Sequence, residues 1–436
     1  MRETSVYLMA EATGNEATRQ LYKQKLQRYV WALYHIGMGE WDSETYHGHT
    51  FAPYLNLYDF AQDPQIKQLA QAALDWLSVA AAVKYYRGGW AGPVKRDYGR
   101  ANVIFGSPAA RTFWLYFGEI SSNPDPSTDS LYLMTSSYRP PLAALFLARK
   151  QFPRPLELHA SKPLYQNWLP GNDRQPGYWE TTFFGETYQM GSIAATFADG
   201  DVAPFKLLAY NSRRGVDYLV ANSRKRASWV QSGKNPGDQV GQFRNLLIWL
   251  RPADGTPFFF QLPKQAPLEK DGNIWFARLE RTWLALYPLN LSEPEPLAIA
   301  DQKLAAHYRQ EQTYRAVTQG GGYAGFALEV GEAGIDGDYE RFKASVRQKS
   351  HLDLSQLAQG SVRLQGNQGA SLQLRHNPKN LLPILVRNGQ PWDWSKQLAL
   401  YASPAATAPP LSLGWKQGAL TVKAGGRRFQ SRYPNK

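Results

Sequence analysis

Apolar positions fall three to four residues apart through the first third of the chain. Leu21, Tyr22, Leu26, Tyr29, Val30 and Leu33 recur at helical spacing, with Asn15 as an N-cap before them and Gly37 after them. Asp63 followed by Pro64 opens a second helix, because a capping carboxylate and a first-turn proline both suit a helix start. Its stripe is Ile66, Leu69, Ala70, Ala73, Leu74, Leu77, Ala80 and Ala81, closed by Gly88-Gly89. Shorter helices are predicted at 53–61, 108–118 and 138–150. Antiparallel helices on short links predict a helical hairpin array or a toroid.

The period changes to two further on. After a Pro-, Gly-, Asn- and Asp-rich stretch at 151–177 come "FKLLAY", "DYLVAN", "NLLIWL", "PFFFQL", "NIWFARL", "TWLALY", "GFALEV", "ASLQLRH" and "GALTVKA". These are strand-length runs between turn-forming residues, and so many short strands predict a large antiparallel sandwich. One helix interrupts it, capped by Asp338, with Phe342 and Val346 on one face. The expected organisation is an α+β multidomain chain. It has a helical domain at 1–150, a linker at 151–177 and an antiparallel β-sandwich at 178–436.

Composition narrows the chemistry. The chain has 436 residues and a formal net charge of +13, which attracts polyanions. With no cysteine, disulfides, cysteine-zinc sites and thiol catalysis are excluded. No apolar run is long enough to cross a membrane as a helix, and no reader helix or aromatic sheet motif points to nucleic acid. The start of the chain reads as mid-domain helix, without the basic and apolar regions of an export signal.

The densest chemistry is "GEWDSETYHGHTF" at 39–51, which packs three carboxylates, a tyrosine and two histidines into thirteen positions. Its surroundings resemble the heparinase II/III-like polysaccharide lyases and their alginate-lyase relatives. The segment itself is similar to that family's glycine-acid turn followed by a Ser-x-x-Tyr element and a helix pair. "WAGPVKRDYGR" resembles the arginine-containing loop that follows, "SSYRPP" and "ETYQMGS" resemble the junction of toroid and sandwich, and "GFALEVGEAGIDGDYERFKASV" resembles a late sandwich strand with its short helix. The resemblance implies an incomplete (α/α) toroid followed by a large antiparallel β-sandwich. An Asn/His motif that the family carries upstream is absent here, as if the N-terminal part of the toroid were missing. It also implies β-elimination on an acidic polysaccharide or oligosaccharide, outside the cytoplasm in periplasm or medium, and no cofactor.

By that resemblance Tyr46 is the acid/base. A phenol is a poor base unless cations assist it, and His47 and His49 are the nearest imidazoles. If the backbone is helical here, Tyr46 and His49 share a face; Pro53 as a first helical position instead favours a rim loop, where either histidine serves. Arg96, Arg100 and Arg139 are candidate neutralisers of the substrate carboxylate, Glu40 is a further substrate contact and Tyr188 a second phenol. Other readings remain open. Each of these residues also has an ordinary structural role, and Glu40 or Asp42 can cap a turn or pair with arginine. His47-x-His49 lacks a third metal ligand at recognised spacing, so no metal is expected. Glu40, Asp42 and Glu44 raise a glycoside hydrolase as a rival, and a non-catalytic glycan-binding relative is the other alternative.

Overall fold

The computed structural model describes residues 2–96, 107–119, 126–164, 175–196, 199–223, 237–298 and 311–434. A helical region is followed by large antiparallel β-sheets. The helices are α1 (Arg2–Ala12), α2 (Glu16–His35), α3 (His47–Phe60), α4 (Pro64–Lys84), α5 (Pro108–Phe117), α6 (Ser130–Thr135) and α7 (Leu142–Ala148). The caps sit where the sequence puts them. Asn15 accepts from the Thr18 N–H at 3.1 Å, and Asp63 accepts from the Gln65 N–H at 2.9 Å. The α4 stripe is buried from Ile66 to Ala81 at the centre of the helical core.

Helix α3 departs from expectation. It begins at His47, six residues before Pro53, which lies inside it. The proline lacks the N–H that would bond the His49 carbonyl four residues back, so the helix tolerates it at the loss of that one bond. Tyr46 is the N-cap residue, and no rim loop separates it from the helix.

Two sheets face one another across a second core. The eight-stranded sheet includes Leu156–Lys162, Tyr178–Phe184, Tyr188–Ala195, Phe205–Asn211 and Gly215–Asn222; the six-stranded sheet includes Gln239–Phe243, Leu246–Pro252, Thr282–Leu289 and Tyr323–Glu332. Phe205, Leu207, Leu219, Trp249, Phe258, Phe260 and Phe326 fill the space between. The strand Leu156–Lys162 is the edge of the larger sheet, so part of the expected linker at 151–177 is sheet. A five-stranded sheet and the helix Tyr339–Lys349 share a third core with the outer face of the six-stranded sheet. Asp338 caps that helix, and Phe342 and Val346 are buried beneath it. A four-stranded sheet, formed by Ala399–Tyr401, Leu411–Gly414, Ala419–Ala424 and Arg427–Arg432, turns back onto α4 and α7. Its Leu411, Leu420 and Val422 join the helical core, so this last sheet closes on the helical region.

The other face of the eight-stranded sheet packs on the helical region. Gly92 and Gly191 allow that approach: a Cβ on Gly191 would stand 2.0 Å from the Gly92 carbonyl oxygen. Strand alternation decides what faces where. Gln189 points at the helices and donates to the Val83 carbonyl at 2.9 Å, while its neighbours Tyr188 and Met190 point into the core between the sheets.

Candidate functional site

The three carboxylates of 39–51 are fastened to lysines and arginine. Asp42, 2 % exposed, accepts from Lys162 Nζ at 2.7 Å and lies 3.5 Å from Lys84 Nζ. Glu180 completes the cluster, 2.7 Å from Lys84 and 3.3 Å from Lys162. Two lysines and two carboxylates thus balance in the interior, tying the end of α4 to two strands of the sheet. Burial pushes the Asp42 carboxyl up, and Lys162 and Lys84 more than offset this, holding it below its ordinary range. Glu44 is ion-paired with the fully buried Lys206. Glu40 accepts from Arg96 Nε at 2.8 Å near the surface. A pair of hydrolase carboxylates must flank a bond from two sides with open access, and these three do not.

His47 is not available for catalysis. It is fully buried against Trp90 and Phe113, and its Nε2 lies 3.0 Å from the Leu77 carbonyl. Burial lowers its basicity and keeps the imidazole neutral. Tyr188 is likewise removed from the site. Its ring lies in the inter-sheet core, one alternation step out of phase with the helix-facing Gln189.

What remains near the surface is Tyr46 with His49. Both are partly exposed, and their ring centroids are 5.9 Å apart with the planes inclined at 56°. The helical backbone places them three residues apart on one face. His49 Nδ1 is 2.8 Å from Asp129 Oδ1. An ionised carboxylate only accepts, so Nδ1 carries the proton and Nε2 is the nitrogen left for chemistry. Asp129, 5 % exposed, precedes α6. Gly48 makes room for it, since a Cβ there would lie 2.5 Å from Asp129 Oδ2.

The arginines divide. Arg96 sits beside the site, where its carbonyl accepts from Thr45 Oγ1 at 3.4 Å. Its guanidinium is held by Glu40 and by Asp201 at 3.2 Å. Arg139 donates to the carbonyls of Ser136 and Tyr138. Ser137, two residues earlier, bonds Asp59 near the C-terminal end of α3, about 20 Å from the Tyr46 end by helix rise. Arg139 therefore does not join Tyr46. Arg100 lies outside the described residues. Asp129 is the member that sequence reading missed. It is eighty residues from His49, in no motif, and only folding α6 against α3 brings them together.

Among the described residues no group of three or more His, Cys, Asp or Glu side chains is placed to hold a metal, and no helix is long and apolar enough to cross a membrane. No family profile matches the sequence, and no curated protein matches it. Among solved structures the fold is distantly similar to that described as "Crystal Structure of Heparinase III". The TM-score is 0.39 at 9% identity, over 98% of this chain and 66% of that one, so this chain spans about two thirds of its length.

Proposed function

We propose that the protein is a polysaccharide lyase that cleaves a uronic-acid-containing polymer by β-elimination, with Tyr46 as the proton carrier. The observation that carries this reading is the exposed face of α3, where Tyr46 packs on an imidazole oriented by a buried carboxylate. His49 Nε2 takes the phenolic proton. The Tyr46 oxygen removes the proton from C5 of the uronate, the C4–O4 bond breaks as the C4–C5 double bond forms, and the departing O4 is protonated from Tyr46. Asp129 stabilises the imidazolium that forms between these steps. Arg96 receives the uronate carboxylate by exchange with Asp201, whose side chain is 38% exposed. The net charge of +13 draws a polyanion to the surface. In this reading the helical region is toroid-like, and the polymeric substrate places the action outside the cytoplasm.

The test is a panel of alginate, heparin-type, hyaluronan and pectin-type polymers, read both for the absorbance of unsaturated uronate and for new reducing ends. Chromophore with reducing ends supports the lyase; reducing ends without chromophore identify a hydrolase. Binding without either product identifies a glycan-binding protein, a reading favoured by the two carboxylates that already occupy Arg96.

A further inference from the structure

A cavity of about 390 Å³ opens far along the chain from the Tyr46 site and shares no residue with it. It lies where the segment before the first long strand, the hairpin 184–188, the turn 244–245 and the end of the strand Tyr323–Glu332 meet. Its volume falls in the range of small-molecule sites.

The wall is built in two parts. Phe183 and Ile335 supply apolar surface. Tyr188 and Glu332 supply polar groups, each 2% exposed. The Tyr188 hydroxyl makes no hydrogen bond to any described residue, although its ring is otherwise packed in the core. The hydroxyl has no protein partner among the described residues while Tyr188 lines the cavity, and a ligand there would supply one. Glu332 Oε2 accepts from the Thr187 N–H at 2.8 Å and from its hydroxyl at 3.1 Å, but Glu332 has no ion-pair partner among the described residues. Gly185 lets phenol and carboxylate sit side by side: a Cβ there would fall 2.5 Å from Tyr188 Cε1 and 3.1 Å from Glu332 Oε1.

Charge selects the ligand. Glu157 in the same wall is ion-paired with Arg387 at 3.1 Å, and Arg244 is exposed at the rim. Glu332 has the acid Glu186 for a neighbour, and Tyr188 lies in the field of Glu332, Asp336 and Glu329, so a second carboxylate would be repelled. An apolar face beside a donor and an acceptor fits a sugar ring, whose C–H face is apolar and whose edge is hydroxyl.

We infer that this cavity binds a neutral sugar, of the size of a disaccharide, with Tyr188 donating to a ring hydroxyl and Glu332 accepting from another. The inference stands apart from the elimination proposed for Tyr46. The test is calorimetric titration of the full chain with cellobiose, maltose and lactose, and with a uronate-containing disaccharide. At least one neutral disaccharide is expected to bind. Tyr188→Phe, which removes only the hydroxyl, should weaken binding about tenfold, and Tyr46→Phe should leave it unchanged. Ile335 is 50% exposed, so Ile335→Trp fills the cavity from the rim without entering the core and should also weaken binding. Should Tyr188→Phe fail to fold, Ile335→Trp decides. The inference is overturned if no neutral disaccharide binds, if the uronate disaccharide binds more tightly, or if neither cavity variant weakens binding.

Discussion

Asp42→Asn removes one charge from the buried cluster while keeping the shape of the side chain. In the wild type, two lysines face two carboxylates at 2.7 to 3.5 Å, with no side chain of the four more than 6% exposed. The variant leaves Lys84 and Lys162 sharing Glu180 alone. Stripping one partner from a buried ion pair costs about 3–5 kcal/mol, and an amide oxygen that still accepts from Lys162 places the expectation near the lower end, about 3 kcal/mol. The assay is guanidinium unfolding, followed by tryptophan fluorescence and by far-ultraviolet circular dichroism. Both midpoints should fall, since the cluster ties α4 to the sheet. Asp42→Asn combined with Lys162→Met restores one cation to one anion and should cost less than the two single changes added together. Glu40→Gln, in the half-buried pair near the surface where Asp201 still holds Arg96, should cost only about 1 kcal/mol. The folded carboxyl of Asp42 titrates below its unfolded value, so its contribution is present above about pH 4 and is lost as pH falls further. If Asp42→Asn and Glu40→Gln destabilise equally, the cluster is not the joint between the two regions.

Two further outcomes follow from buried and oriented carboxylates elsewhere in the fold. Asp75, buried in α4 and bonded by the Tyr138 hydroxyl at 2.9 Å, has its carboxyl pushed up by burial to about 7. The folded state therefore holds the proton more tightly, stability falls as pH rises from about 4 to 7, and Asp75→Asn should be a few kcal/mol more stable than wild type at pH 8 but not at pH 4, read from melting temperatures. Asp129→Asn leaves His49 free to take the wrong tautomer, so kcat should fall about a hundredfold with KM little changed, as measured by the rate of chromophore release.

Much of the architecture was legible because local chemistry and tertiary packing agree. The caps at Asn15, Asp63 and Asp338 each satisfy helix N–H groups in the structure, and the alternating runs "FKLLAY" and "DYLVAN" are neighbouring strands. Legibility fails where distant chain segments decide. Pro53 reads as a helix start, yet Ser43 and the packing of His47 carry the helix back past it. The three carboxylates look like chemistry in one dimension because their partners, Lys84, Lys162, Lys206 and Arg96, are far away in sequence. Tyr188 and Gln189 are equally plausible from sequence, and only the sheet register assigns the tyrosine to the core. Asp129 has no local signal at all. Its partnership with His49 exists only after α6 folds against α3.

The most direct measurement is the rate at which Tyr46→Phe releases unsaturated uronate from the best polymer of the panel, beside its affinity for that polymer. Loss of the hydroxyl should abolish chromophore formation by at least a thousandfold, about 4 kcal/mol of transition-state stabilisation, while binding stays within a few-fold of wild type. Chromophore formed by the variant at near the wild-type rate would show that the proton travels by another group and would contradict the assignment.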